Sequence, residues 1–251
     1  MLVFAQFVYR LSFGLAAAMV VTSPRLVTSG YYRNNSYVLL GMSAAVAAAS
    51  FGASIDAQLM PLWPAVVAAV AGYVAAVAWL YEKPRAGRAA LTIVALATLY
   101  GSLITVPGNE SQAASLLNGA DAVAGGLLLG VTMAAMLLGH WYLNAPGMKL
   151  QPLIQLTMLI GVAVALRTIV SSLGLAWTWP NVEFDDAERY LLVLRWLAAV
   201  VGTAVLVGMT LSTLKIPNTQ AATGMLYVAV ITTFLGELVG RLLSVGRDYA
   251  L

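Results

Sequence analysis

The feature that most constrains this chain is a succession of long apolar stretches that charge hardly interrupts. Hydrophobic residues make up 61% of its 251 residues, and Asp, Glu, Lys and Arg only 9%. A soluble domain carries about 25% charged residues, because it needs a polar shell. This chain has no such shell to offer, so lipid must be the solvent for most of its surface. Crossing a bilayer takes roughly 20 mostly apolar residues. The stretches that meet this requirement are Met1–Val21, Tyr37–Ala53, Met60–Tyr81, Ala89–Val106, Leu116–Leu143, Leu150–Ala176, Tyr190–Leu214 and Ala221–Val245. They are continuous and do not alternate with polar residues. Only helices or closed barrels satisfy the backbone inside lipid, and continuous runs select helices. The expected fold is therefore all-α: a polytopic transmembrane bundle of about eight helices with short loops, forming one membrane domain over residues 1–251.

Turn residues sit where connectors are expected, at Ser23-Pro24, Lys83-Pro84, Pro107-Gly108-Asn109, Asn144-Ala145-Pro146-Gly147 and Pro217-Asn218. The tight joins after the fifth and seventh stretches predict antiparallel hairpins. Trp63, Trp79, Tyr81, Trp141, Tyr142, Trp177, Trp179 and Tyr190 fall near stretch ends, as in interfacial aromatic belts. Met1-Leu2-Val3-Phe4 places no basic residue ahead of the first stretch, and Arg10 lies inside it. This reads as a first membrane helix rather than a secretory signal.

Connector charge predicts orientation. One side holds Arg25, Arg33, Lys83, Arg85, Arg88, Lys149 and Lys215; the other holds Arg189 and Arg247, with Arg241 at its border. The first side is expected to face the cytoplasm of a bacterial cell, with both termini on the external side. The connector Trp177–Arg189, with Glu183, Asp185, Asp186 and Glu188, is then external and acidic, a candidate docking surface for a partner. Gly126-xxx-Gly130 and Gly236-xxx-Gly240 have the spacing that lets helix backbones approach closely, and internal packing is the expected use.

Ionisable side chains inside the apolar stretches carry the functional information, because lipid makes them costly unless paired or hydrated. Arg10, Asp121, Arg167, Arg195, Glu237 and Arg241 all fall in the external half of the bilayer under this topology. Four arginines thus accompany two carboxylates. Guanidinium stays charged in proteins and its fork suits carboxylate and phosphate. The excess positive charge points to an anion: the acidic connector, a lipid phosphate or a bound ligand. Glu237 and Arg241, four residues apart, are placed to pair along one helix face. Arg195 and Arg241 are shallow enough to snorkel to head groups, and Asp121 sits where the apolar part of the fifth stretch begins. Apart from these stands His140, at the cytoplasmic end of the fifth stretch in Gly139-His140-Trp141-Tyr142-Leu143. It is a candidate to hydrogen-bond a quinone carbonyl, or to ligate a haem whose second ligand comes from another chain.

Other chemistries are excluded by residue counts and missing patterns. With no cysteine and one histidine, the chain has no thiolate cluster ligands and no pair of histidines for a haem. It has no Gly-rich phosphate loop, zinc-binding His-Glu-x-x-His or nucleophile elbow. The small net charge of +3 is scattered and leaves no nucleic-acid footprint. In its many spans, short loops and few buried arginines and acids, the chain resembles the cofactor-poor membrane subunits of bacterial respiratory complexes. That resemblance implies a subunit of an energy-transducing or electron-transfer assembly, anchoring partner subunits and binding a quinone, lipid or other anion. The alternatives are a transporter or channel for a small anion or protons, and, ranked last, an intramembrane enzyme acting on lipid.

Overall fold

A computed structural model describes residues 2–53, 62–106, 112–145, 147–178, 185–216 and 218–244. Helices dominate: α1 (Leu2–Val21), α2 (Ser29–Ala53), α3 (Trp63–Leu80), α4 (Pro84–Ile104), α5 (Gln112–Asn144), α6 (Gln151–Thr178), α7 (Asp186–Lys215) and α8 (Thr219–Leu243). Among the described residues, all but α2 are long and apolar enough, by length and composition, to cross a membrane. Helix α2 is long enough but carries Arg33, Asn34 and Asn35 in its first two turns. No strand occurs among the described residues. The expected all-α bundle is the observed architecture. Met1, Met60, Pro61, Pro107, Gly108, Asn109, Pro146, Trp179, Glu183, Pro217, Val245 and Arg247, which the sequence reading also used, lie outside the described residues.

Several helices start earlier than the apolar stretches do: α2 at Ser29 rather than Tyr37, α4 at Pro84 rather than Ala89, α5 at Gln112 rather than Leu116, and α7 at Asp186 rather than Tyr190. Apolarity marks only the lipid-crossing part. Once a helix has formed, carrying its hydrogen bonds into the interface costs little, and local signals set the true ends. Prolines occupy the first turns of α3 and α4, where a missing N–H removes no helix bond. Asn218 Oδ1 caps α8 by accepting from Ala221 N at 3.0 Å. Two of the four acidic residues of the expected connector, Asp186 and Glu188, belong to α7. Glu188 N donates to Asp185 Oδ1 at 2.7 Å and Asp185 N to Glu188 Oε2 at 3.2 Å, a reciprocal cap. In the short turn between α5 and α6, Gly147 takes φ 94°, a conformation that side chains resist.

The bundle divides into α1–α4 and α5–α8, joined mainly where α1 lies on α5. Gly14, Gly126 and Gly130 make that junction. A Cβ on Gly14 would collide with the Gly126 carbonyl, and one on Gly130 with the Gly14–Leu15 backbone. So Gly126-xxx-Gly130 serves internal packing, as expected. Gly236-xxx-Gly240 does so too, against α7. Ser and Thr hydroxyls inside the bundle largely return to their own helix, as Thr98, Thr132 and Thr157 do to carbonyls four residues back, which satisfies them without water.

Within α7, residues Trp196–Gly202 widen into a π-helical turn. Ala199 of this turn presses on Gly236 of α8, where a Cβ would meet its N at 2.8 Å. Thr203 holds the far end, its hydroxyl 3.3 Å from the Ala198 carbonyl and 3.2 Å from the hydroxyl of Thr232. Such turns occur often at functional sites, and this one begins immediately after Arg195.

Candidate functional site

Arg10, Asp121, Arg167, Arg195, Glu237 and Arg241 come from α1, α5, α6, α7 and α8, and they converge at one end of the bundle. Measured along their helices, Arg10 lies about 12 Å from the start of α1, Asp121 about 13 Å from the start of α5, and Glu237 about 9 Å from the end of α8. The start of α1 and the end of α8 therefore share one end of the bundle. Arg10, Arg167 and Glu237 are each 2% exposed, Arg195 3% and Asp121 4%. None of the five reaches out toward lipid.

Arg167 is the centre. Its Nε donates to Glu237 Oε1 at 2.6 Å and its Nη2 to Glu237 Oε2 at 2.9 Å, a two-pronged pair. Its Nη1 donates to Asp121 Oδ1. The other oxygen of Asp121 faces Arg10 Nη2 at 2.8 Å and Arg241 Nη2 at 3.7 Å. One carboxylate thus serves three guanidinium groups. Gly125 makes room for this arrangement: a Cβ there would stand 2.6 Å from Glu237 Oε2 and 3.2 Å from Arg10 Nη1.

Three expectations change. Arg241 turns to Asp121 and forms no ion pair with Glu237, because Arg167 has taken both Glu237 oxygens. Asp121 does not border its helix; α5 begins about two and a half turns earlier, at Gln112. Arg195 does not snorkel. Its side chain folds against α8 over Gly240, where a Cβ would lie 2.7 Å from Nε, and Nη2 donates to Ser171 Oγ at 2.9 Å. Among the described residues, no carboxylate lies within 4 Å of Arg195.

Beside Arg195 runs a narrow crevice, lined by Arg167, Ser171, Arg195, Trp196, Ala199 and Val200, too tight to admit a water molecule as its side chains stand. Of these, sequence reasoning singled out only the two arginines. Ser171 was within reach of it, since it follows Arg167 by four residues and shares its helix face. Nothing in Trp196-Leu197-Ala198-Ala199-Val200 marks a wide turn.

His140 is not part of this cluster. It lies about 28 Å from Asp121 along α5, exposed, with Nδ1 3.2 Å from Tyr227 Oη. Around that end the polar contacts tie the helices together: Trp141 Nε1 donates to Thr28 Oγ1 at 2.7 Å and Tyr31 Oη to the Ala134 carbonyl at 3.1 Å. No group of three or more metal-binding side chains occurs among the described residues.

Fold and site together define a class: a helical bundle with the pattern of a multi-pass membrane protein, enclosing an arginine-rich ion network near one end. No protein-family model matches the chain, and neither a curated protein nor a solved structure matches it.

Proposed function

We propose that this chain is an integral membrane subunit of a bacterial energy-transducing or electron-transfer assembly, which anchors partner subunits and holds an anionic ligand beside its buried arginines. The observation that carries this reading is the charge inventory of the cluster. With both carboxylates ionised, four guanidinium groups leave two positive charges over, and among the described residues Arg195 has only a hydroxyl for company. Burying charge in a bilayer is costly, so a network that keeps surplus cations is better explained by an anion brought from elsewhere than by packing. The long apolar face of α7, with Tyr190, Val193, Leu197, Val201 and Val205 exposed, supports either a partner helix or lipid along this flank. At the opposite end, exposed His140 beside Tyr227 offers a position for a quinone carbonyl. The test is purification of the full chain from its native membrane in mild detergent. Stoichiometric companion subunits are expected on native gels and by mass spectrometry. A chain that runs alone in every mild detergent contradicts the assembly.

A second reading, transport of a small anion or protons, is favoured by the wide turn at Trp196–Gly202, which interrupts regular helix next to Arg195. It requires anion or proton flux in proteoliposomes that Arg167→Ala abolishes. Flux that the substitution leaves unchanged counts against it.

A further inference from the structure

The geometry points to the crevice beside Arg195 as a site for the phosphodiester head of an anionic membrane phospholipid. This rests on the reading of the cluster as an anion site, and it names the ligand class.

Arg195 is the one member of the network whose charge meets no carboxylate within 4 Å among the described residues, yet it is 3% exposed. Its hydrogen-bond partner, Ser171, is itself buried. Both line the crevice. The three nitrogens of Arg167, the other cation in the wall, already donate to Glu237 and Asp121. Arg195 therefore supplies the donors, Ser171 can add a hydroxyl, and Arg167 adds positive potential. Trp196 and Val200 are only partly buried and form the outer lip. Beyond that lip, Val193, Leu197 and Val201 are 57%, 56% and 50% exposed. The crevice is closed as it stands, so the proposal requires Trp196 to swing outward, which opens space for a head group and joins it to this apolar face.

A ligand that fits both parts is an oxyanion tethered to acyl chains. The head accepts from Arg195 and Ser171 while the chains lie along α7. Arg195 stands about 7 Å past Tyr190, where α7 turns apolar, and a cation at this depth draws head groups and water inward. A zwitterionic lipid would bring its own ammonium next to a network that already has surplus positive charge. An anionic phosphodiester brings none, and its single negative charge matches the guanidinium at the crevice that pairs with no carboxylate among the described residues.

The test uses the full chain reconstituted in bilayers of phosphatidylcholine and phosphatidylglycerol, with bromine on the acyl chains of one lipid at a time. Bromine quenches nearby indole fluorescence. The chain has six tryptophans, so Trp196→Phe defines the Trp196 component. The expected result is a preference of at least about tenfold for phosphatidylglycerol over phosphatidylcholine at Trp196, equivalent to about 1.4 kcal/mol. The preference falls to about one in Arg195→Ala and is partly kept in Arg195→Lys. Should Arg195→Ala not fold, Arg195→Gln keeps a donor for Ser171 while dropping the charge, and is expected to lose the preference in the same way. Equal quenching by the two lipids in the unaltered chain overturns the proposal. So does a preference that survives loss of the Arg195 charge. Abolition of the preference by millimolar inorganic phosphate assigns the site to a free anion and overturns the lipid assignment. Lipid preference and co-purification fail separately. Companion subunits without a preference sink this inference alone, and a preference without companions sinks only the assembly.

Discussion

Gly126-xxx-Gly130 lets α1 lie on α5 backbone to backbone, whereas Gly236-xxx-Gly240 gives α7 a seat for a methyl group and a guanidinium. The α1–α5 side is closed. Helix α5 has 78% of its most apolar window buried, and Asp121 at its end of the junction meets Arg10, Arg167 and Arg241. The α7–α8 side is open. Helix α7 has only 28% of its window buried, its ladder widens at Trp196, and Arg195 has a neutral partner. The same spacing of small residues therefore accompanies a carboxylate shared by three arginines on one side and, among the described residues, an arginine with only a hydroxyl partner on the other. What separates them is Gly240, which faces a side chain, whereas Gly14, Gly126, Gly130 and Gly236 all come against backbone. Backbone contact fixes two helices rigidly and excludes ligand. A side chain laid over glycine leaves room to move.

The comparison is broken most forcefully at the two charges that typify the sides. Asp121→Asn removes the carboxylate that three arginines share and leaves their charges buried. Unfolding in detergent is expected to show a loss of about 3–5 kcal/mol. Arg195→Ala removes a charge that meets no carboxylate among the described residues, and its change is expected to stay below about 1 kcal/mol in either direction. Similar losses for both would erase the distinction between the sides.

Next in size are the glycines. Gly14→Ala drives a methyl into the Gly126 carbonyl and is expected to cost about 1–3 kcal/mol in thermal unfolding. Gly240→Ala meets the Arg195 side chain, which can shift. It is expected to cost less than Gly14→Ala and to show its effect in lipid retention instead. Smallest is Gly208→Ala, where a Cβ meets nothing within 4 Å. It is expected to leave stability unchanged or raise it by up to about 1 kcal/mol, by limiting the unfolded chain.

Much of this comparison was legible in the sequence, and the illegible part has a common cause. Hydropathy locates the helices, because each must bury or lipidate about 20 residues. Alternating direction then places Arg10, Asp121, Arg167, Arg195, Glu237 and Arg241 at one depth. Azimuth is what a single sequence withholds. The four-residue step from Glu237 to Arg241 suggests a local pair, yet Arg167 from another helix fits both Glu237 oxygens and wins. Arg195 looks shallow enough to snorkel, but Gly240 opens a path inward. The start of α2 at Ser29 is hidden by Arg33, Asn34 and Asn35. Asn35 is satisfied there by the Tyr31 carbonyl at 2.9 Å, a bond that exists only once the helix does. The wide turn in α7 has no proline or polar residue to announce it, and it depends on Gly236 and Thr232 of a different helix.

The most direct test of the shared network is a double-mutant cycle between α6 and α8, read as unfolding free energy in bicelles for Arg167→Gln, Glu237→Gln and the pair together. A two-pronged buried ion pair predicts a coupling of at least about 1 kcal/mol. Effects that add to within about 0.3–0.5 kcal/mol would mean that the two side chains do not meet in the membrane, and would contradict the account.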